Sequence, residues 1–324
     1  MTLLTNEIFE HKSILSAHIA KKIVEDEGID IMLKSPLDIA IVCHDKHYVK
    51  KDFISKMVFH LSENGYLERN GEIYSLVEQW RRSLSSKTTS LENLKSLGAY
   101  QVFLFEEHLA KYFLDIVHND IQKLDISKFI YYLDTIDSSK GLQAIRSEAI
   151  SLMESNSTSK NILNIDFGLG HSAYQLSTLF PKNNIFSIQL NSALWEAYEY
   201  TIQRYACSNL TSKSKYPSEL VNQLMNEKVD LIYLFNPFGF NMNDLDRYLT
   251  LASQTAKKGT RLLLYVPFVN QPNNTLLAEW LAMCFDSIDH YRNFDFYNVA
   301  LSKHNFEIEQ KKINKKYIVA SYYP

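Results

Sequence analysis

The sequence predicts an α/β protein: a C-terminal domain built on a mostly parallel sheet, preceded by a mainly α-helical N-terminal domain. Three observations point there. From Asn161 onward, short apolar runs alternate with helical patterns, the signature of strands joined by crossover helices. Before Asn161, apolar residues recur at helical spacing. The strong hairpin signal in that first half, Asn70-Gly71 between two alternating runs, follows two helical stretches.

The N-terminal elements follow in order. Ile14 to Glu27 places Ile14, Leu15, His18, Ile19, Ile23 and Val24 at helical spacing, with Gly28 as the stop. Ser35-Pro36 has N-cap and first-turn character for a short helix over Leu37 to Val42, and Val49 to Asn64 reads as a second helix ended by Gly65. Tyr66 to Arg69 and Glu72 to Leu76 then form the hairpin. Helix, helix and two-stranded wing is the order of a winged helix. Ser83 to Ser90, rich in Ser and Thr, reads as a linker or cap region, and helical patterns follow over Leu91 to His118 and Ile126 to Met153.

In the second half, Ile162 to Ile165 and Ile185 to Ile188 read as buried strands flanking a helix over His171 to Leu179. Val229 to Phe235 and Thr260 to Val266 supply two more strands, and Phe306 to Glu309 with Lys316 to Ser321 suit an edge hairpin. The expected division is residues 1–90 for the winged helix, 91–155 for a helical linker and pocket lid, and 156–324 for the sheet domain.

Bulk composition narrows the class. The 324 residues suit more than one domain, and 46% hydrophobic with 22% charged residues fits a globular protein. No apolar stretch approaches the ~20 residues of a membrane span, and Met1 to Glu10 lacks the basic start and apolar run of a signal peptide. A cytoplasmic location without a membrane partner is expected. Cys43, Cys207 and Cys284 lie far apart without CxxC spacing, so neither a disulfide framework nor a metal site is expected. A net charge of −3 gives no global pull toward nucleic acid.

Only 9 glycines occur in the chain, so finding Gly168 and Gly170 together directs attention to Asp166-Phe167-Gly168-Leu169-Gly170-His171-Ser172. An acid at a strand end, two glycines and then a helix permit a tight turn, close backbone approach of a ligand and free amides at the helix start. That chemistry suits a nucleotide-like ligand. The stretch resembles motif I of class I S-adenosylmethionine (SAM) dependent methyltransferases, an acid followed by GxGxG, with Ser172 at the third glycine position. Val229 to Asn236 resembles the family's fourth strand, Lys257 to Leu264 its KPGG turn and fifth strand, and Leu301 to Ile308 the turn before its last two strands. With the winged helix in front, the whole chain resembles small-molecule O-methyltransferases that dimerise through their N-terminal domain.

That resemblance implies a Rossmann-like SAM methyltransferase domain acting on a small-molecule metabolite, with S-adenosyl-L-methionine as cofactor. It implies cofactor contacts from Asp166, Gly168, Gly170, His171, Gln189, Leu190 and Asn236, and substrate contacts from Phe238, Phe240, Trp280 and Met283. The sequence also departs from the pattern. The second strand ends in Gln189, with Asn191 beyond, where the family has a ribose-binding acid. No acid is evident in Asn209 to Tyr216 for the adenine amino group. Asn236 to Asn241 lacks the histidine base of many O-methyltransferases.

Two substitutes for that base follow. Asn236-Pro237-Phe238 partly matches the (D/N)PP(Y/F) motif of amino-methylating enzymes, against the plainer reading of a strand end and proline turn. His290, beside Asp286 and Asp289, could be a relocated base, against a solvated helix end. His171 has the alternatives of touching the cofactor carboxylate or filling the first helical turn, and Trp195 and Tyr198 those of adenine contact or core packing. Lys46, Lys50, Lys51 and Lys56 offer a modest basic face, but Asp52, Glu63, Glu68 and Glu72 surround it and Ile54, Met57, Val58 and Leu61 suit a buried face. Homodimerisation is therefore favoured over DNA binding. The alternatives to methyl transfer are a SAM- or ligand-binding protein with another activity, and a ligand-sensing winged-helix regulator.

Overall fold

The computed structural model describes residues 2–81, 84–98, 100–119, 126–153, 161–166, 168–213, 218–235, 242–265, 294–309 and 317–324. The described residues up to Asn119 form one compact unit, and those from Ile126 onward form another. No helix among them is long and apolar enough to cross a membrane.

In the N-terminal unit, helix α1 (Thr2–Asp26) starts well before the periodic segment and is followed by α2 (Ile29–Met32), β1 (Leu37–Asp38), α3 (Ile39–Asp45) and α4 (Lys51–Glu63). The Asp38 carboxylate caps α3 by accepting the Ala40 amide at 2.8 Å. The hairpin stands as the sequence predicts: β2 (Leu67–Asn70) pairs antiparallel with β3 (Ile73–Leu76), and β1 adds to the far side of β3. Gly71 takes a φ of 64° in the turn, a conformation that only a residue without Cβ adopts freely. Phe53, Ile54, Met57, Val58 and Leu61 of α4 are buried in this unit.

Several helical boundaries differ from expectation. The Ser/Thr-rich stretch is not a linker: it lies in α5 (Leu84–Ser96), which packs on α1 and buries Ser90 and Leu94. Ser and Thr lose only tenths of a kcal/mol per residue in a helix, so tertiary burial outweighs them. The continuous pattern over Leu91 to His118 is broken by Gly98, at a φ of 68°, and resumes as α6 (Tyr100–Asn119). In the second unit the pattern over Ile126 to Met153 is likewise divided, because the Ser139 hydroxyl accepts the Leu142 amide and starts a new helix. This gives α7 (Ile130–Asp137) and α8 (Lys140–Ser151), so the segment expected as one linker over 91–155 is shared between the two units.

The C-terminal unit holds a seven-stranded sheet in the order β6-β5-β4-β7-β8-β10-β9. Its strands are β4 (Asn161–Asp166), β5 (Asn184–Gln189), β6 (Leu210–Lys213), β7 (Val229–Phe235), β8 (Ala256–Tyr265), β9 (Phe306–Ile308) and β10 (Tyr317–Tyr322). The first five are parallel; β10 runs antiparallel to β8 and β9. Strand β8 starts four residues before the expected Thr260, with Gly259 at a φ of 84° forming an irregularity in its pairing with β7. Thr260 Oγ1 stabilises it by donating to the Val229 carbonyl at 2.6 Å.

Alternation along the strands gives the sheet two unlike faces. One face is apolar: Leu163, Ile165, Phe186, Ile188, Ile232, Leu234, Leu262, Leu264 and Ile318 join one core with residues of α11 (Ser218–Glu227), α12 (Met242–Thr255) and α13 (Phe294–Lys303). The opposite face carries the buried polar groups Asn164, Asp166, Ser187 and Gln189, toward α9 (His171–Leu179) and α10 (Trp195–Tyr205). After β4 the chain moves first outward through β5 and β6 and then returns to β7 on the other side. The end of β4 is thus a topological switch point, where ligands of open α/β sheets bind.

Candidate functional site

The glycine turn stands at that switch point, and its geometry is set by two carboxylates. Asp166 ends β4 and accepts the Gly168 amide at 2.7 Å and the Ser172 hydroxyl at 2.8 Å, while the Asn164 amide lies at 3.2 Å. Burial, reinforced by the neighbouring Asp137 carboxylate, holds the Asp166 carboxyl above the ordinary carboxylate value of 3.8, against the pull of Ser172, the Gly168 amide and Arg146. Asp137, the last residue of α7, accepts the Leu169 amide at 3.0 Å. The amides of Gly168 and Leu169, within the turn, therefore both point at carboxylates of the protein itself.

Both glycines are required by that packing. A Cβ built on Gly168 would lie 2.8 Å from Asp137 Cγ, and one on Gly170 would lie 2.9 Å from Ile202 Cδ1. Gly170 also has a φ of 93° as it enters α9. Glycine is demanded here by close approach of α7 and α10 to the turn.

The strand end expected to meet a ribose behaves differently as well. Gln189 is buried; its Nε2 donates to the Gly168 carbonyl at 2.6 Å, and its Oε1 accepts the Asn191 amide at 2.8 Å. One end of the side chain braces the glycine turn and the other the start of the loop after β5. Leu190 follows, partly buried against the core, and Trp195 Nε1 donates to the Gln189 carbonyl at 2.9 Å. Tyr198 is fully buried beside Gly170, which favours packing for that ring. Just before the next strand, Asn209 is engaged with the carbonyls of Ser177, Phe180 and Asn183.

His171, the first residue of α9, is also engaged. Its Nε2 lies 2.8 Å from Asp134 Oδ1 and its Nδ1 lies 2.6 Å from the Tyr205 hydroxyl, so the ring ties α7 to α10. Tyr205 stacks on Tyr174 with ring centroids 3.8 Å apart. Burial, aided by Asp134 and Asp137, raises the Tyr205 phenol.

Arg146 was not singled out by sequence reasoning, yet it holds this corner together. It is fully buried on α8, pairs through Nη1 with the Asp137 carboxylate, donates from Nη2 to the Asp137 carbonyl at 2.7 Å, and donates from Nε to Gln175 at 2.8 Å. The available signal was an arginine on the same helix face as Leu142, Ile145 and Ala149, since arginine is almost never fully buried unless paired. Asp134, Asp137 and Tyr205 carried no such signal.

Of the predicted site residues, Asp166, Gly168, Gly170, His171, Gln189 and Leu190 are brought to one corner of the sheet. Asn236, Phe238, Phe240, Trp280, Met283 and His290 lie outside the described residues. Among the described residues no group of His, Cys, Asp and Glu is arranged to hold a metal ion. The corner offers a rigid backbone turn, backed by the N-terminus of α9, beside the ends of β4 and β5. Such a surface suits an elongated nucleotide-like ligand with an anionic end.

No family model matches the chain, and no curated protein matches it. Solved structures do. The chain is similar to the CurJ carbon methyltransferase, at 15% identity over 100% of this chain and 95% of that one, with a TM-score of 0.66. It is similar to the CMeT domain of the citrinin polyketide synthase, at 14% identity over 98% and 91% of the two chains, with a TM-score of 0.63. It is also similar to an O-methyltransferase family protein from Burkholderia thailandensis, at 12% identity over 94% of each chain, with a TM-score of 0.52. The chain has the fold of the class I SAM-dependent methyltransferases.

Proposed function

We propose that this protein is a SAM-dependent methyltransferase acting on a small-molecule metabolite, with S-adenosyl-L-methionine as its cofactor. One observation carries the reading: a braced glycine turn at the switch point of a seven-stranded sheet in the methyltransferase order, with its last strand antiparallel. The residues fit the cofactor through backbone more than through side chains. Gly168 to Gly170 give a fixed path for the chain, the α9 N-terminus faces an anionic end, and Leu190 offers an apolar edge. When bound, the cofactor supplies an electrophilic methyl group.

The chain's own residues then have four tasks. Asp166 and Gln189 keep the turn in shape from beneath. Asn236, the next residue in the chain after Phe235, is proposed to meet cofactor and substrate; Phe238, Phe240, Trp280 and Met283 are proposed to enclose an apolar acceptor and exclude water. His290 is the proposed base, taking the acceptor's proton as the nucleophile forms. Orientation supplies a large share of the acceleration.

The solved structures of this fold include the CurJ carbon methyltransferase as well as an O-methyltransferase, so carbon stands beside oxygen as a proposed nucleophile. A carbon acid such as a 1,3-dicarbonyl compound, whose proton a histidine can remove, fits that reading.

A homodimer through the N-terminal unit is proposed with it. Ile31, at 63% exposure, and Val49, at 52%, are apolar side chains left uncovered in that unit, as are Ile41, Phe59 and Ile73. Cys43 and Cys207, both without disulfide partners, support a reducing, cytoplasmic setting.

Calorimetric titration with SAM and with S-adenosylhomocysteine tests the central claim: both bind if it is right, and absence of binding by both removes it. A subsequent screen of phenols, amines and 1,3-dicarbonyl compounds, with the methyl group located by NMR, decides the acceptor. Light scattering tests the dimer, which requires twice the chain mass in solution.

A further inference from the structure

We propose that Asp137 is a positioning residue for the cofactor turn, and that Gly168 is glycine because of Asp137. This rests on the reading that the turn holds S-adenosylmethionine. Asp137 and Leu169 are 32 residues apart in the chain, and nothing in the motif itself points to α7.

The geometry is that of a clamp. The Asp137 carboxylate stands on the side toward which a Gly168 side chain would project and accepts the Leu169 amide at 3.0 Å. A Cβ at Gly168 would come within 2.8 Å of Asp137 Cγ, so the backbone has been drawn against the carboxylate as closely as glycine permits. The carboxylate cannot turn away, because the buried Arg146 guanidinium grips both its side chain and its carbonyl. Arg146 is in turn aligned by Gln175, which donates to the Gln143 carbonyl and the Ser147 hydroxyl. A guanidinium fork fixes a carboxylate in direction as well as place. Asp166 takes the Gly168 amide, and Asp137 takes the next one. The turn is thereby held at two consecutive amides, and its remaining surface is presented in a single conformation. Preorganisation of this kind raises affinity by removing the ordering cost of binding.

Replacing Asp137 alone strands a buried positive charge and is strongly destabilising, so the pair is removed together. In the D137A/R146M background the protein is expected to fold and to bind S-adenosylhomocysteine at least about tenfold more weakly than wild type. Introducing Gly168→Ala there should cause no further loss, whereas the same substitution in the wild-type background should abolish binding. Unchanged affinity in D137A/R146M, or an equal cost of Gly168→Ala in both backgrounds, overturns the proposal.

A second measurement does not need the cofactor. Asp137→Asn keeps the shape but not the charge and cannot face both Arg146 and Leu169 with an acceptor, so in the cofactor-free protein amide exchange should accelerate at Leu169 more than at the core amides of β4, which report the global loss of stability. Acceleration at Leu169 no greater than at those amides also overturns the clamp. Failure of wild type to bind either cofactor form, with Leu169 exchange still responding to Asp137→Asn, would instead remove the methyltransferase reading and the cofactor role of the clamp.

Discussion

Gln189 Nε2 donates a 2.6 Å hydrogen bond to the carbonyl of Gly168, so the residue at the ribose-acid position braces the glycine turn. Replacing it with the acid that the resemblance implies removes the donor and sets a shorter carboxylate near a carbonyl oxygen. Gln189→Asp is expected to lower stability by about 1 kcal/mol without tightening S-adenosylhomocysteine binding. Denaturant titration and calorimetry check both; a gain in affinity would return position 189 to ribose recognition.

The raised Asp166 carboxyl gives a signed pH dependence. Its folded-state value lies above the ordinary 3.8, so the folded protein holds the proton more tightly than the unfolded chain. The stabilising contribution is complete below the unfolded value and is lost as pH rises through the folded one. Asp166→Asn has no such titration. The stability of wild type relative to this variant should therefore fall as pH rises above about 4, and a flat or rising difference in urea midpoints would falsify the shift.

His171 has both ring nitrogens occupied, by Asp134 and by Tyr205. His171→Ala should cost about 1–3 kcal/mol of stability, the cost of removing one member of a buried hydrogen-bonded set, while S-adenosylhomocysteine affinity stays near wild type. A large loss of affinity with little change in melting temperature would instead assign the ring to the cofactor.

Thiol chemistry should separate two of the cysteines. Burial, with Asp38 and Asp52 adding to it against Lys51, pushes the Cys43 thiol up to about 11. Cys207 is partly exposed. Since the thiolate is the reactive form, iodoacetamide near pH 8 should modify Cys207 well before Cys43 in the native protein, as read by peptide mass spectrometry. Equal rates would show that the N-terminal unit opens on the timescale of labelling.

Local pattern made much of the fold legible. The Asn70-Gly71 hairpin, the strands around β4 and β5 and the helix from His171 to Leu179 each depend on residues adjacent in the chain, where period and turn chemistry speak directly. Helix boundaries were less legible. Ser90, in the stretch read as a linker or cap region, is helical and buried in α5, which packs on α1, a contact that no local window contains.

By itself, the sequence determined that a nucleotide-type turn follows a buried strand at Asp166 to Gly170, within an alternating series of strands and helices. Only the tertiary structure decided what those residues do. Asp166, Gln189 and His171 are polar groups placed where water is excluded, so each takes the nearest donor or acceptor that the fold brings to it. Those partners, Ser172, the Gly168 backbone, Asp134 and Tyr205, and with them the Arg146–Asp137 pair, come largely from other elements. Spacing along the chain carries no record of contacts between helices separated in sequence, and a buried hydrogen bond is set by which neighbours arrive, not by which residues are adjacent.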